Sequence, residues 1–257
     1  MTQALVYVDK GVCLPSAHAL AEQLRSLLDP SISVLKVDAH YLRTEAWEDQ
    51  TVVLAMGGGI CSQWDENLQD EGISKIDHYV TGGGKFIGDC AGAYFASAES
   101  CFTLSDRLIE KNRKLRFFPG KALGPLVQTD QYLSLGAARA ASVSFKIRGS
   151  WEEGSLYYQG GCLFEIEKDC GYVEMMSIYR GLDKAASVFC RVGKGCAFLS
   201  GTHPEFQWSS SLTEKTGSFY SGLVERLSAQ EAFRKKVWEE IGAKLGLPLK
   251  TLTFTKS

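Results

Sequence analysis

Residues 86–94 read Phe-Ile-Gly-Asp-Cys-Ala-Gly-Ala-Tyr, an apolar run that ends in a cysteine flanked by small residues. The stretch from Ala91 to Ala98 that follows has the composition of a helix. This pattern predicts a strand, a sharp turn and a helix that together place Cys90 at the tip of a parallel sheet. Unpaired N–H groups in the first turn of such a helix favour a thiolate, and the Ala91 N–H can donate to an oxyanion. The alternative interpretation is an ordinary buried cysteine beside a glycine-rich turn.

The chain on either side of this segment alternates between strands and helices. Strands are predicted at 4–8, 32–37 and 51–56, and helices at 15–28 and 68–80. After Ala141, short strands lead to a hairpin at 185–200 and then to helices at 213–227 and 229–245. This order predicts an α/β fold with a doubly wound, mostly parallel sheet flanked by helices, a flavodoxin-like three-layer sandwich. Ligands bind such sheets at the carboxyl ends of the strands.

Composition narrows the class of protein. Of the 257 residues, 45% are hydrophobic and 23% are charged, and the formal net charge is −2, so no field attracts nucleic acid or an anionic membrane. The sequence has a predicted strand at 4–8 and no long apolar run. We therefore expect neither a signal peptide nor a membrane-spanning helix. The eight cysteines include no CxxC pair, which predicts free thiols rather than a zinc site. We expect a cytoplasmic protein without metal or cofactor, although secretion without a recognisable leader stays open.

A second glycine-rich loop follows the predicted strand at 51–56. Gly57 and Gly58 stand where backbone N–H groups can approach a ligand, and the Gly58 N–H is a candidate second oxyanion donor beside Ala91. The Lys-Ser/Thr ending of a phosphate-binding loop is missing. The alternative interpretation is a tight turn that binds nothing.

An aromatic, turn-rich stretch at 115–125 is typical either of a loop over the cysteine or of a hydrophobic anchor under a connection. Basic residues lie around its start, and we expect them on a solvated face. They are Lys111, Arg113, Lys114 and Arg116.

One of the four histidines, His203, follows an apolar strand-like run and precedes Pro204 and Glu205. A strand end places its imidazole at the same edge of the sheet as Cys90, and Glu205 can fold back to orient the ring. Cys90 as nucleophile, His203 as base and Glu205 as orienting carboxylate would form an activated thiol that attacks a carbonyl carbon. The alternative is a surface histidine beside a turn proline.

Four segments carry a family resemblance, in chain order 88–95, 115–120, 157–161 and 192–206. They resemble the N-terminal, class I glutamine amidotransferase-like domain of eukaryotic-type biotin–protein ligases over about residues 4–207. The resemblance implies that fold over 1–210, with 211–257 as a helical extension packed on the same domain. It also implies that Cys90, His203 and Glu205 occupy the positions of the catalytic triad.

Departures from the family pattern limit the function that follows. The sequence contains no Gly-Arg-Gly-Arg nucleotide loop of a ligase and no synthase domain to receive ammonia, and Asp89 stands where glutamine amidotransferases commonly carry an apolar residue. The first hypothesis is a cysteine hydrolase or amidotransferase acting on an amide or acyl substrate. The second is a catalytically silent binding or regulatory module that associates with a biotin–protein ligase or another partner protein. A PfpI-like peptidase or chaperone fits less well, because its histidine directly follows the cysteine, where this chain has Ala91.

Overall fold

The computed structural model describes residues 2–104, 107–127, 135–166, 171–208 and 218–250. Its strands join in one 13-stranded mixed sheet. They are β1 (Gln3–Tyr7), β2 (Ser33–Val37), β3 (Thr51–Met56), β4 (Lys85–Asp89), β5 (Ser97–Leu104), β6 (Arg107–Asn112), β7 (Phe118–Gly124), β8 (Arg139–Ile147), β9 (Ser150–Tyr158), β10 (Leu163–Glu165), β11 (Val173–Tyr179), β12 (Lys184–Val192) and β13 (Gly195–Ser200). The helices are α1 (Leu14–Leu27), α2 (Ala39–Thr44), α3 (Ser62–Gly82), α4 (Ala91–Phe95), α5 (Ser218–Ser228) and α6 (Glu231–Lys244).

The sheet has a parallel half and an antiparallel half. Strands β2, β1, β3, β4 and β13 lie side by side and run parallel. Beyond β13 the order continues through β12, β10 and β7 with antiparallel pairing, and β11, β8 and β9 branch from β12. The predicted doubly wound, mostly parallel three-layer fold is confirmed, and the predicted hairpin at 185–200 is β12–β13.

Helices cover both faces of the sheet. Side chains alternate along β4, so Phe86 packs on the face covered by α3 and Ile87 on the face covered by α1 and α6. Trp64 of α3, Leu20 of α1 and Trp238 of α6 are at most 1% exposed. Each such side chain stabilises the fold by roughly 1.5–3 kcal/mol relative to an exposed one. No helix in the described ranges is long and apolar enough to cross a bilayer.

The helix after the cysteine is shorter than predicted. It was expected to reach Ala98, but α4 ends at Phe95 and the chain enters β5 at Ser97. Pairing of β5 with β7 overrides the helix propensity of the alanines, and Ser97 Oγ closes the helix with a 2.8 Å bond to the Ala93 carbonyl. Tertiary pairing therefore sets the end of α4.

The stretch at 115–125 is a hydrophobic anchor and not a loop over the cysteine. Leu115, Phe117 and Phe118 are at most 4% exposed and belong to the core on the α3 face. The two C-terminal helices pack on β8 and β9, and Trp238 Nε1 donates to the Pro204 carbonyl at 2.7 Å. Of the predicted helix at 213–227, residues 213–217 lie outside the described ranges.

Candidate active site

Cys90 occupies the sharp turn between β4 and α4. Its backbone has φ 51° and ψ −103°, a region that side-chain-bearing residues adopt at a cost of roughly 1–3 kcal/mol. The turn is held on both sides, because Cys90 N donates to the Ser200 carbonyl at 2.7 Å and Gly92 N to the Gly57 carbonyl at 3.0 Å. A side chain at residue 92 is excluded, since its Cβ would lie 2.1 Å from the Met56 oxygen. Cys90 is 7% exposed and lines a cavity, and its thiol donates to the Gln159 carbonyl at 3.5 Å.

The loop after β13 carries the other two predicted residues to this turn. His203 Nδ1 lies 2.7 Å from Glu205 Oε1, and the imidazole lines the same cavity as Cys90. The backbone N of His203 donates to the Tyr157 carbonyl at 2.8 Å, which ties the loop to β9. The structure thus brings Cys90, His203 and Glu205 together.

Electrostatics favours the protonated form of the imidazole. Burial alone lowers the pKa of His203, but the Glu205 carboxylate and the Cys90 sulfur together raise it well above its usual range. Perturbed titration of this kind, at a nucleophile in a cavity, is typical of functional sites.

Ser16 is a functional candidate that sequence reasoning missed. Its hydroxyl donates to Glu205 Oε1 at 2.6 Å and accepts a bond from the Gly58 N–H at 2.8 Å. Ser16 is fully buried, so both partners of the hydroxyl are protein groups. The sequence predicts Pro15-Ser16 only as a helix start; the available signal is a polar residue in the first turn of the helix that follows β1.

The predicted oxyanion donors differ in their availability. Ala91 lines the cavity, and its N–H donates to no acceptor in the described part of the chain. The Gly58 N–H is already bonded to Ser16, and the Gly57 carbonyl accepts from Gly92. Of the two predicted oxyanion donors, Gly58 and Ala91, the structure therefore leaves Ala91 free. Gly58 serves the site sterically as well, since a Cβ there would lie 2.9 Å from His203 Cε1.

The cavity in front of the thiol has a volume of about 330 Å³. Its wall includes Arg113, which was expected on a solvated face but is only 8% exposed. The guanidinium is held at 2.8–3.0 Å by Ser100 Oγ, Asp65 Oδ2 and Cys61 Sγ. Burial raises the pKa of Cys61 to about 11 although Arg113 opposes it, so this neighbouring sulfur stays a thiol.

Asp89 lies directly before the nucleophile and is fully buried. Neither carboxyl oxygen has a hydrogen-bond partner among the residues that the structure describes. Burial, and next the Glu205 carboxylate, raise the pKa of Asp89 well above its usual range. This environment disfavours the ionised form of the Asp89 carboxyl.

Comparison with known proteins gives the family. The family model described as "Biotin-protein ligase, N terminal" matches residues 2–256. A biotin–protein ligase of Schizosaccharomyces pombe is 34% identical over 220 residues, which cover 80% of this chain and 34% of the ligase. The chain thus spans about a third of that ligase's length. An uncharacterised protein of Chlamydia muridarum is 34% identical over 215 residues, covering 80% of this chain and 81% of that protein.

A solved structure shares the fold. A cytoplasmic protein of Salmonella typhimurium superposes with a TM-score of 0.50 at 10% identity, covering 98% of this chain and 100% of that one. Together with the family match over nearly all residues, the α/β sheet and its cysteine turn lead to one conclusion. The chain belongs to the biotin–protein ligase N-terminal family.

Proposed function

We propose that the protein is a cysteine-dependent, amidotransferase-like hydrolase that acts on an amide or acyl substrate. The observation that carries the proposal is the convergence of Cys90 and His203 on one cavity, with Glu205 Oε1 2.7 Å from the His203 ring. Nucleophile, base and orienting carboxylate are the parts that acyl transfer requires.

The proposed reaction uses two half-steps. The Cys90 sulfur attacks the carbonyl carbon as a thiolate while its proton is held on His203, and the carbonyl electron pair moves onto oxygen beside the Ala91 N–H. When the oxyanion collapses, the bond to nitrogen breaks, and His203 returns the proton to the departing amine. Water then attacks the thioester, His203 takes a proton from it, and the acid leaves as the thiol is restored.

The cavity favours an apolar acyl group over free glutamine. Its wall includes Phe102, Ile109 and Phe206, and no aspartate or glutamate lines it within the described ranges. The charged side chains that line it are His203 and Arg113, and the guanidinium of Arg113 is occupied by protein acceptors. An α-ammonium group would be desolvated here without a carboxylate partner, which is costly.

The test compares acyl groups on one leaving group. We expect short aliphatic and aryl acyl p-nitroanilides to release nitroaniline and to leave an acyl group on Cys90 that mass spectrometry detects, whereas glutamine p-nitroanilide reacts more slowly. Cys90→Ala abolishes both signals. Cys196→Ala, which removes a thiol from the far end of β13, is the matched control. The proposal fails if no electrophilic amide or ester labels Cys90 and any turnover survives in Cys90→Ala.

A catalytically silent binding module is the second candidate. The observation that favours it is the bond between the Gly58 N–H and Ser16, which leaves the oxyanion with fewer donors. Since the S. pombe relative is a biotin–protein ligase, the partner to try first is a purified ligase of that type. Saturable binding that Cys90→Ala leaves unchanged, with no turnover of any acyl substrate, would favour this candidate over the hydrolase.

A further inference from the structure

Three carboxyl oxygens beneath the candidate site are buried without a hydrogen-bond partner in the described part of the chain. They are Asp89 Oδ1, Asp89 Oδ2 and Glu205 Oε2. Asp89 is fully buried and Glu205 is 1% exposed. An ionised carboxylate in a dry interior needs donors, so these three unpartnered oxygens call for a physical explanation.

The two carboxyl groups approach each other from neighbouring elements. Asp89 follows Ile87 by two residues on β4, so it points to the sheet face that α1 covers. Glu205 lies on that side too, where its Oε1 is shared by Ser16 Oγ at 2.6 Å and His203 Nδ1 at 2.7 Å. The other oxygen of Glu205 remains. Asp89 pairs in register with Ser200 of the neighbouring strand β13, five residues before Glu205, and lies close enough for the Glu205 carboxylate to raise the pKa of Asp89.

Two carboxylates are both acceptors, so a bond between them requires a proton. We propose that Asp89 and Glu205 share one proton, so that a neutral Asp89 donates to Glu205 Oε2 and acts as a positioning residue for His203. The titratable groups around Asp89 are Glu205 and His203 on the loop after β13, and the Cys90 thiol of its own turn. Helix α1 contributes the neutral hydroxyl of Ser16 to Glu205.

The shared proton resolves the difficulty of an acid beside a nucleophile. A neutral Asp89 does not repel the Cys90 thiolate, and the pair carries one negative charge in place of two. With donors on both of its oxygens, Glu205 is held in the plane that meets His203 Nδ1. This role deepens the proposed function, but its measurements need no turnover.

Infrared spectroscopy tests the proton directly. We expect the wild-type protein at neutral pH to show the carbonyl stretch of a protonated carboxylic acid, shifted in heavy water and lost in Asp89→Asn. Asp49→Asn, which changes an exposed aspartate, is the control and leaves the band in place. A wild-type-minus-Asp89→Asn spectrum that contains only carboxylate bands would overturn the proposal, whether or not the protein is a hydrolase.

Thiol reactivity tests the positioning role. Mass spectrometry follows the rate at which iodoacetamide alkylates the Cys90 peptide from about pH 5 to about pH 9, the range in which thiols and imidazoles titrate. Asp89→Asn keeps a donor to Glu205, so its rate stays within about twofold of wild type, whereas Asp89→Leu removes the donor and slows alkylation about tenfold. An Asp89→Asn variant that reacts about tenfold faster would mean that an ionised Asp89 had been opposing the thiolate, and the proposal would be wrong. This comparison stands on Asp89→Asn alone if Asp89→Leu does not fold.

Discussion

The two sides of the β4 tip differ sharply in chemistry although consecutive residues reach them. Cys90 faces a cavity with an aromatic and aliphatic wall, where the charge of Arg113 is neutralised by Asp65. Asp89 faces the opposite side, where Ser16 and Glu205 form a buried polar relay. The sharp turn that follows Asp89 therefore separates the reactive sulfur from the charge that supports its base. We expect the substrate to bind only on the side of the cavity that Cys90 faces.

Removal of the sulfur is expected to have the largest effect. In Cys90→Ala, hydrolysis of the best acyl p-nitroanilide should fall about 10⁴-fold or more, because nucleophile and base act as one unit. Steady-state rates of purified protein are the measurement, with Cys196→Ala as the control. Full activity in Cys90→Ala would show that the sulfur facing the cavity takes no part in the reaction.

The second-largest effect on the rate is expected when the Glu205 carboxylate is neutralised. Glu205→Gln should lower the rate about 10³-fold, because an amide no longer stabilises the imidazolium. Glu205 raises the pKa of His203, so the variant should also lose its imidazolium at a lower pH than wild type.

Proton NMR of the His203 ring follows that titration directly. Glu153→Gln, an exposed change on β9, is the matched control. If the pKa of His203 is the same in Glu205→Gln as in the wild type, Glu205 does not stabilise the imidazolium and the proposed link between the two sides is wrong.

Loss of the hydrogen bond from Ser16 to Glu205 is expected to lower the rate by a smaller factor. Ser16→Ala removes one hydrogen bond to a carboxylate, which is worth about 1.5–3 kcal/mol, so the rate should fall about tenfold to a hundredfold. Ser26→Ala on the same helix removes hydrogen bonds only to Gln23, one to its carbonyl and one from its side-chain amide, and should leave the rate unchanged. If Ser16→Ala is instead faster, the freed Gly58 N–H contributes more as an oxyanion donor than the relay does through Glu205.

The smallest effect concerns stability. Asp89 has a raised pKa in the folded state, so above about pH 4, the ordinary value for aspartate, the unfolded chain releases a proton that the folded protein keeps. The stability of the wild type should therefore fall with rising pH relative to Asp89→Asn, by at most about 1.4 kcal/mol per pH unit.

Chemical denaturation of both proteins at several pH values measures this difference in the free energy of unfolding. The series starts at about pH 4, near the pKa of aspartate in an unfolded chain. The gap should be smallest at the acid end and should widen until Asp89 ionises in the folded protein. A gap that stays constant with pH would mean that Asp89 is ionised when folded.

Local sequence patterns predicted much of the parallel half of the sheet, and they failed where distant partners decide. The strand at 51–56 agrees with β3. The helix predicted to Ala98 ends at Phe95, because β5 pairs with β7. Arg113 was expected in solvent, but Asp65, 48 residues away, holds it in the cavity wall. Propensity and periodicity describe near neighbours, whereas burial depends on what folds against them.

The sequence by itself determined the sharp turn at Cys90 and the spacing of His203 and Glu205, because both depend on residues adjacent in the chain. Only the tertiary structure decided that Ser16, 189 residues from Glu205, occupies the Gly58 N–H and holds the carboxylate. It also decided that Asp89 is buried against a second acid. Hydrogen-bond partners and local dielectric are set by elements that meet across the sheet, and no pattern within one segment contains them.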